Sequence, residues 1–475
     1  MKIWVVAGLL TLSGCQVIRD AREAQEALAP KGEAREAVVE PPSSLFTERH
    51  ALRELVDFAM TNRPSVVTAV LSVQDARLAL KALAADAPVL SDSPWTAPKV
   101  SLSGGHSESS AAAHPVDELR ASTRGAADAT LSLDLLLWDW GRYGAAAQEG
   151  AENVLAAELN LVDARYTVFY EVTFAYFAFL ENEAMLLVAK TNEYEYAEHL
   201  KQAKERHQAG EALELDILKA QLDYSQARER TVAAQKDVMT ARAELLRALG
   251  LDAAHHPGAR VVAERPDALT KAVSEFPTTA YDAPTAFELA RTNAPSIRLA
   301  RAKLRAASAR VDYAVADLKP EVTASVSLNW TDPLWIWHWG VSGVQSLFTG
   351  FRKTTAVERA VVAMESAAAQ VDATEQAISC DLELAIAERD NAREARLTAQ
   401  SSVRQARLNL ETVTKQYRLG EADRVDFTDA VASHVDALGN LVSAFYRRQR
   451  AEAAIFSLIG TVPDYLETIE DLEVK

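Results

Sequence analysis

Two periods alternate along this chain. Over most of its length apolar residues recur every three or four positions, the spacing of an amphipathic helix; in short stretches they recur every second position, the spacing of a strand with one apolar face. The longest helical pattern starts after Gly141-Arg142 and runs to about Gln208, roughly 100 Å at 1.5 Å per residue. Within it Leu155, Leu159, Val162, Tyr166, Phe169, Thr173, Tyr176 and Leu180 form a heptad seam, the pattern of coiled-coil packing. A second long pattern, Lys353 to Arg418, is richer in Ala. Shorter helical patterns cover about 48 to 86 and the stretch from the Gly210 turn to Leu249. The alternating stretches are Val100 to Ser103; Leu131, Leu133, Leu135 and Leu137; Val322, Ala324, Val326 and Leu328; and Trp335 to Phe348.

These patterns occur twice in the same order. HQAGEALELD, ending at Asp216, recurs as YRLGEADRVD, ending at Asp426. One offset, without a gap, relates Gly210 to Gly420, Asp216 to Asp426, Gly250 to Gly460 and Arg142 to Arg352. That is an internal duplication of a helix-strand-strand-helix-helix unit. The copies cover 46–250 and 285–460; a linker with Pro257, Pro266, Pro277 and Pro284 covers 251–284 and is expected outside the main tube; an acidic tail covers 461–475. Asn62-Arg63-Pro64 in the first copy matches Asn293-Ala294-Pro295 in the second, a helix break in each, because proline lacks the amide donor. The short helices of each copy are expected to lie end to end along its long one. The first copy is longer between its strands, through GGHSESSAAAHPVDELRASTRGAA, whereas the matching turn runs only from Asn329 to Leu334.

Charge and cysteines narrow the setting. The 475 residues carry a formal charge of −17, which disfavours a nucleic-acid partner. Two cysteines suggest neither a disulfide framework nor a metal cluster. Cys380, in an Ala-rich helical run, reads as a small packing residue. Cys15 ends a charged-then-apolar leader, Lys2 followed by Ile3 to Leu12, through Leu12-Ser13-Gly14-Cys15. Residues 1–14 read as an export signal, and the ending resembles the bacterial lipoprotein box. A covalent lipid such as palmitate is therefore expected on Cys15, with 15–45 as its tether. In proteins with that box an Asp after the Cys favours inner-membrane retention, so with Gln16 in that place the resemblance implies the outer membrane. Four alternating strands in such a chain suggest a share of a transmembrane barrel. Four cannot close one, and an open edge cannot sit in lipid, so several chains must pool their strands.

Other candidates are weaker. Trp335, Trp337 and Trp339 suit an interfacial aromatic girdle. His255-His256 lacks neighbouring ligands. HExxH, phosphate-cradling and nucleophile-elbow motifs are not found, so an enzyme, a metal or a cofactor beyond the lipid is not expected.

With these residues assembled, the chain from about 45 to 460 resembles the TolC family of outer-membrane efflux channels. The resemblance rests on the duplicated element order, on Leu137-Trp138-Asp139-Trp140-Gly141-Arg142 and Leu347-Phe348-Thr349-Gly350-Phe351-Arg352 at the strand-to-helix junctions, on Ala175-Tyr176-Phe177, and on the tip motifs. It implies a homotrimer with a shared twelve-stranded barrel and a periplasmic coiled-coil tunnel whose equator carries the linker. It implies a passive conduit for small molecules, fed by a proton-driven inner-membrane pump through a periplasmic adaptor, the membrane fusion protein. By the same resemblance Asp216, Tyr417, Asp426 and Asp429 are periplasmic gate residues, and Gly210, Glu211, Gly420 and Glu421 form the turns that meet the adaptor. The competing reading of Asp216 and Asp426 is helix capping, and that of the glycines a plain turn. Where some family members have an Arg two residues after the second glycine, this chain has Ala422. The alternatives in function are a coiled-coil adaptor or scaffold lipoprotein without a pore, a lipid-anchored periplasmic enzyme, and a type I protein-secretion channel.

Overall fold

The computed structural model describes residues 52–84, 99–108, 125–210, 213–251, 279–331, 334–345, 350–419 and 421–461. Cys15 and its tether, residues 109–124 of the long first-copy loop, Glu211, Gly420, residues 252–278 of the linker with His255-His256, residues 346–349 with Phe348, and the tail from 462 lie outside them. Chain order is α1 (Leu52–Asn62), α2 (Pro64–Ala84), β1 (Lys99–Glu108), β2 (Gly125–Trp138), α3 (Arg142–Gln208), α4 (Glu214–Ala248), then α5 (Ala283–Asn293), α6 (Pro295–Ala316), β3 (Glu321–Thr331), β4 (Leu334–Val344), α7 (Arg352–Leu419) and α8 (Arg424–Ile459). The duplicated unit of the sequence is the duplicated unit of the fold.

The strands form one antiparallel sheet in the order β1-β2-β3-β4. Its register puts the apolar positions on one face: Leu102 opposite Leu131, Leu131 opposite Leu328, Leu328 opposite Trp337, and Val326 opposite Trp339. The other face is polar, with Ser101 and Ser132 hydroxyls 2.6 Å apart and those of Thr323 and Ser342 3.0 Å apart. Leu137 does not continue the alternation. The register shifts between Leu136 and Trp138, so Trp138 pairs with Val322; a bulge adds one residue and bends the strand as it turns towards α3.

Two long helices organise the rest. α3 packs on α2 and α4 of its own copy and on α6 and α8 of the other; α7 packs on α5, α6 and α8. The predicted seam is buried at Leu159, Phe169, Thr173, Tyr176 and Leu180, and Val168, Val172, Phe177 and Phe179 are buried as well. A single seam widens here because α1, α4 and α8 close around α3. By length and composition α3 would pass for a membrane span, but this stretch is its most buried. Cys380 departs from expectation: it is exposed on α7.

The end-to-end stacking is found, made by α2 with α4 and by α6 with α8, while α1 and α5 fold aside. Gly250, past the end of α4, has φ 79°, and a Cβ there would lie 3.5 Å from the Arg63 Cα. Gly460, past α8, has φ 75°, and a Cβ there would come within 2.8 Å of both the Asn293 carbonyl oxygen and Pro295 Cδ. Each proline break receives the end of a tip helix. Around the second joint Ala286, Ala290, Ala294, Ile297, Ile378, Leu382, Ile386, Ile455 and Ile459 form one core.

Candidate functional site: the tip of the helical hairpins

At one end of the helices the chain turns twice, after α3 and after α7. Gly210 takes φ 82°, a left-handed conformation that favours glycine, and its amide donates to the His207 carbonyl at 2.9 Å. Asp216 then folds back on its own turn, its Oδ2 accepting from the Leu213 amide at 3.1 Å. In the second copy Asp426 does the same for the Asp423 amide at 3.1 Å, and Asp423 adds a cap of its own by accepting from the Arg424 amide at 2.6 Å. Both aspartates therefore satisfy free amides at helix starts. Asp426 and Asp429 also line, with Glu421 and Ala422, a recess of about 330 Å³. The structure thus brings Glu421, Asp426 and Asp429 together; Asp216 belongs to the other hairpin.

Tyr417 is buried in an aromatic block that ties the two hairpins. Its ring lies 5.4 Å from that of Phe427 and 5.3 Å from that of His199. His199 in turn stacks on Phe427 at 4.8 Å with planes 12° apart. The Arg206 guanidinium sits 4.8 Å above the Tyr417 ring, and its Nη2 donates to the Tyr417 carbonyl at 2.7 Å. No side chain from position 422 is needed for this, since Ala422 only packs against the cluster. Arg424 holds the hairpins together from another side, its Nη1 donating to Asp223 Oδ2 of α4 at 2.7 Å. A two-residue shift from 422 does point elsewhere, and what it points at is Asp223. Burial pushes the His199 imidazole below its usual pKa; Arg424 and Arg206 add to the effect and Asp223 opposes it.

His199, Arg206 and Asp223 are the tip residues that sequence reasoning missed. A signal was present. Asp223 lies seven residues after Asp216, and Asn192, His199 and Arg206 are spaced by seven along α3, so each set returns to one face.

At the opposite end of the helices Gly141 and Arg142 form the first strand-to-helix junction. Trp140 and Gly141 have φ 58° and 86°, matched by Gly350 and Phe351 at 61° and 64°. Buried Asp139 accepts from the Gly141 and Tyr143 amides at 3.2 and 2.6 Å. Arg142 crosses to the second copy, pairing with Glu321 at 2.8 Å and Asp317 at 3.6 Å. Arg352 opens α7 and is exposed, and it is the adjacent Lys353 that reaches Asp317, at 3.2 Å.

Midway, the chain entering from the linker is held by charge. Glu452 Oε2 accepts from the amide and hydroxyl of Thr279 at 3.0 and 2.7 Å, and Arg389 Nη1 donates to the Thr279 and Tyr281 carbonyls, both at 3.0 Å. Burial holds the Glu452 carboxyl above the usual range, against the Thr279 hydrogen bonds and the Arg389 and Arg448 charges.

The sequence matches the family model described as outer membrane efflux protein over residues 59–251 and 286–461. No sequence among the curated proteins matches it. Among solved structures it is similar to CusC (17% identity, TM-score 0.74, covering 90% of this chain and 96% of that one). It is similar to the outer membrane protein VceC of Vibrio cholerae (18%, 0.73, 86% and 96%) and to the CmeC outer membrane channel of Campylobacter jejuni (16%, 0.74, 89% and 89%). At these identities the likeness is one of fold.

Proposed function

This chain belongs to the outer membrane efflux protein family, and from that premise we propose that it works as a lipid-anchored homotrimer exporting small molecules. It is an outer-membrane efflux channel with a helical tunnel in the periplasm, the outermost part of a tripartite system with an adaptor and an inner-membrane pump. The trimer, the anchor on Cys15 and a proton-driven pump are the finer parts of the proposal. So are the roles of Asp216, Tyr417, Asp426 and Asp429 at the gate, and of the turns at Gly210, Glu211, Gly420 and Glu421 in meeting the adaptor.

One observation carries the ring. The sheet ends at β1 on one side and β4 on the other, and the helices end in the same order, with α2, which precedes β1 in the chain, and α4 on one outer side of α3, and α7, which follows β4, on the far side of α6 and α8. Both outer helical faces expose leucines: Leu215, Leu218 and Leu222 on α4, and Leu384, Leu397, Leu408 and Leu419 on α7. Because neighbouring strands alternate in direction, β4 of one copy meets β1 of the next antiparallel, so one rotation closes the barrel and the tunnel together. In that barrel the exposed Trp335, Trp337 and Trp339 face lipid. Trp138 and Trp335 pair with Val322 and Trp330 of β3, about 26 Å apart along the strand at ~3.3 Å per residue, the height of an apolar band between two girdles.

The particle mass of the detergent-solubilised protein tests the ring directly: three copies are expected, and a monomer would sink the proposal. Palmitate labelling tests the anchor, with C15S expected to lose the label. Loss of efflux on deletion of the chain, restored by wild type, tests export.

A further inference from the structure

The half of α3 nearest the tip differs from the half nearest the barrel. Around its middle α3 buries Phe169, Tyr176, Phe177, Phe179 and Leu180. Towards the tip the same helix buries Asn192 and His199, each 1% exposed. Neither the Asn192 amide atoms nor the two His199 ring nitrogens have a hydrogen-bond partner among the described residues. Buried polar atoms without partners weaken an interface relative to an apolar one, so this packing is the easier to open.

The His199 ring is clasped by Phe427 of α8 and Tyr417 of α7. The charged groups around it come from every packed helix. Arg206 on its own helix, Asp223 on α4 and Arg424 on α8 act on His199, and Tyr417 of α7 lies against its ring; Arg230 of α4 and Asp429 of α8 act on Tyr196, three residues earlier on α3. Asp223, the acid that acts on His199, is engaged by Arg424 at 2.7 Å. A proton on His199 would therefore meet two guanidinium groups and an acid already paired.

We propose that His199 is a proton-operated release for the tip: as a neutral ring it completes the sandwich tying α3 to α7 and α8, and as a cation it drives that packing apart. The proposal rests on reading the tip as the periplasmic end of a channel. Its sign follows from the lowered pKa of the folded state. The closed packing is fully stable above the ordinary histidine pKa of about 6.5 and loses stability as pH falls below it. A channel fed by a proton-driven pump works where protons accumulate, and this release opens the tip there. His434 on α8 is displaced in the same direction by burial and Arg407, which makes it the internal control.

The test uses the full chain in planar bilayers, with the tip side taken from about pH 7.5 to about pH 5.5, the range in which histidine gains its proton. Wild-type conductance should rise several-fold. H199F, which keeps a flat ring in the clasp, and H199Q, which cannot titrate, should show no rise, and H434F should respond as wild type does. An undiminished rise in both His199 variants overturns the proposal, as does a wild-type response that vanishes only in H434F. Spin labels at L222C and V425C in a C380S background, flanking the Asp223–Arg424 pair, should separate on acidification in wild type and not in H199F. A wild-type distance that does not change with pH also overturns the release. If the protein conducts under no condition, the channel reading fails, and the label distances still decide the fate of the release.

Discussion

α3 and α7 have nearly the same length, 67 and 68 residues, and come from the same duplicated unit, yet they live in different surroundings. α3 is flanked on both sides, by its own copy and by the other; α7 is flanked on one side and exposes a row of leucines on the other. Their sequences record the difference. Where α3 has the buried Phe169, Phe177 and Phe179, α7 has Ser379, Ala387 and Arg389 at the same offset. The opposing position of the hairpin changes too, from Arg242 on α4 to Glu452 on α8. An aromatic core in the first copy is thus replaced in the second by a charged clamp that holds the incoming linker. Duplication kept the residues that direct the backbone, such as the turn glycines and capping aspartates, and let those that meet different neighbours diverge.

The largest predicted effect tests the two helix joints. G460A puts a Cβ against backbone at a positive φ, whereas G250A meets only ordinary contact. G460A should cost about 3 kcal/mol and G250A about 1 kcal/mol, read from denaturation midpoints; equal losses would mean that the joints are equivalent after all. Next comes the clamp. E452A should cost about 2 kcal/mol by stranding the Thr279 donors, more than R242A on the other hairpin. With its folded pKa raised, Glu452 contributes stability that is complete below the ordinary carboxylate value and declines as pH rises through the raised one. A denaturation series over pH should show that decline in wild type and lack it in E452Q.

The capping difference is smaller. α8 has Asp423 at its start and α4 has Leu213, 71% exposed, at the same place. D423A should lose about 1 kcal/mol, and L213D should gain about 0.5–1 kcal/mol by giving α4 the cap that α8 already has. Smallest of all, C380S on the open face of α7 should stay within about 0.5 kcal/mol of wild type. A larger loss in thermal melts would show that this face is covered at Cys380.

Much of the fold is legible in the order of residues alone. The offset between Gly210 and Gly420, the seam from Leu155 to Leu180 and the alternation from Val322 to Leu328 follow from local periodicity, which a chain shows in its own order. The tip is only half legible. Its turn glycine and capping aspartates act within a few residues of themselves, so their positions betray them. The Arg424–Asp223 pair and the clasp of His199 between Tyr417 and Phe427 join four helices distant in sequence, and no local spacing marks which cation meets which acid. The exposure of Cys380 is hidden for the same reason: an Ala-rich helix does not say which of its faces is covered.

By itself, then, the sequence determined the repeated unit, the length and period of each element, and where the backbone must turn, because these depend on neighbours along the chain. Only the tertiary structure decided that α3 lies inside and α7 at the edge, that Glu452 clamps Thr279, and that Arg206 and Arg424 rather than position 422 tie the two tip hairpins together. Those outcomes depend on which surfaces meet across the fold, and burial and charge pairing take their energy from that meeting.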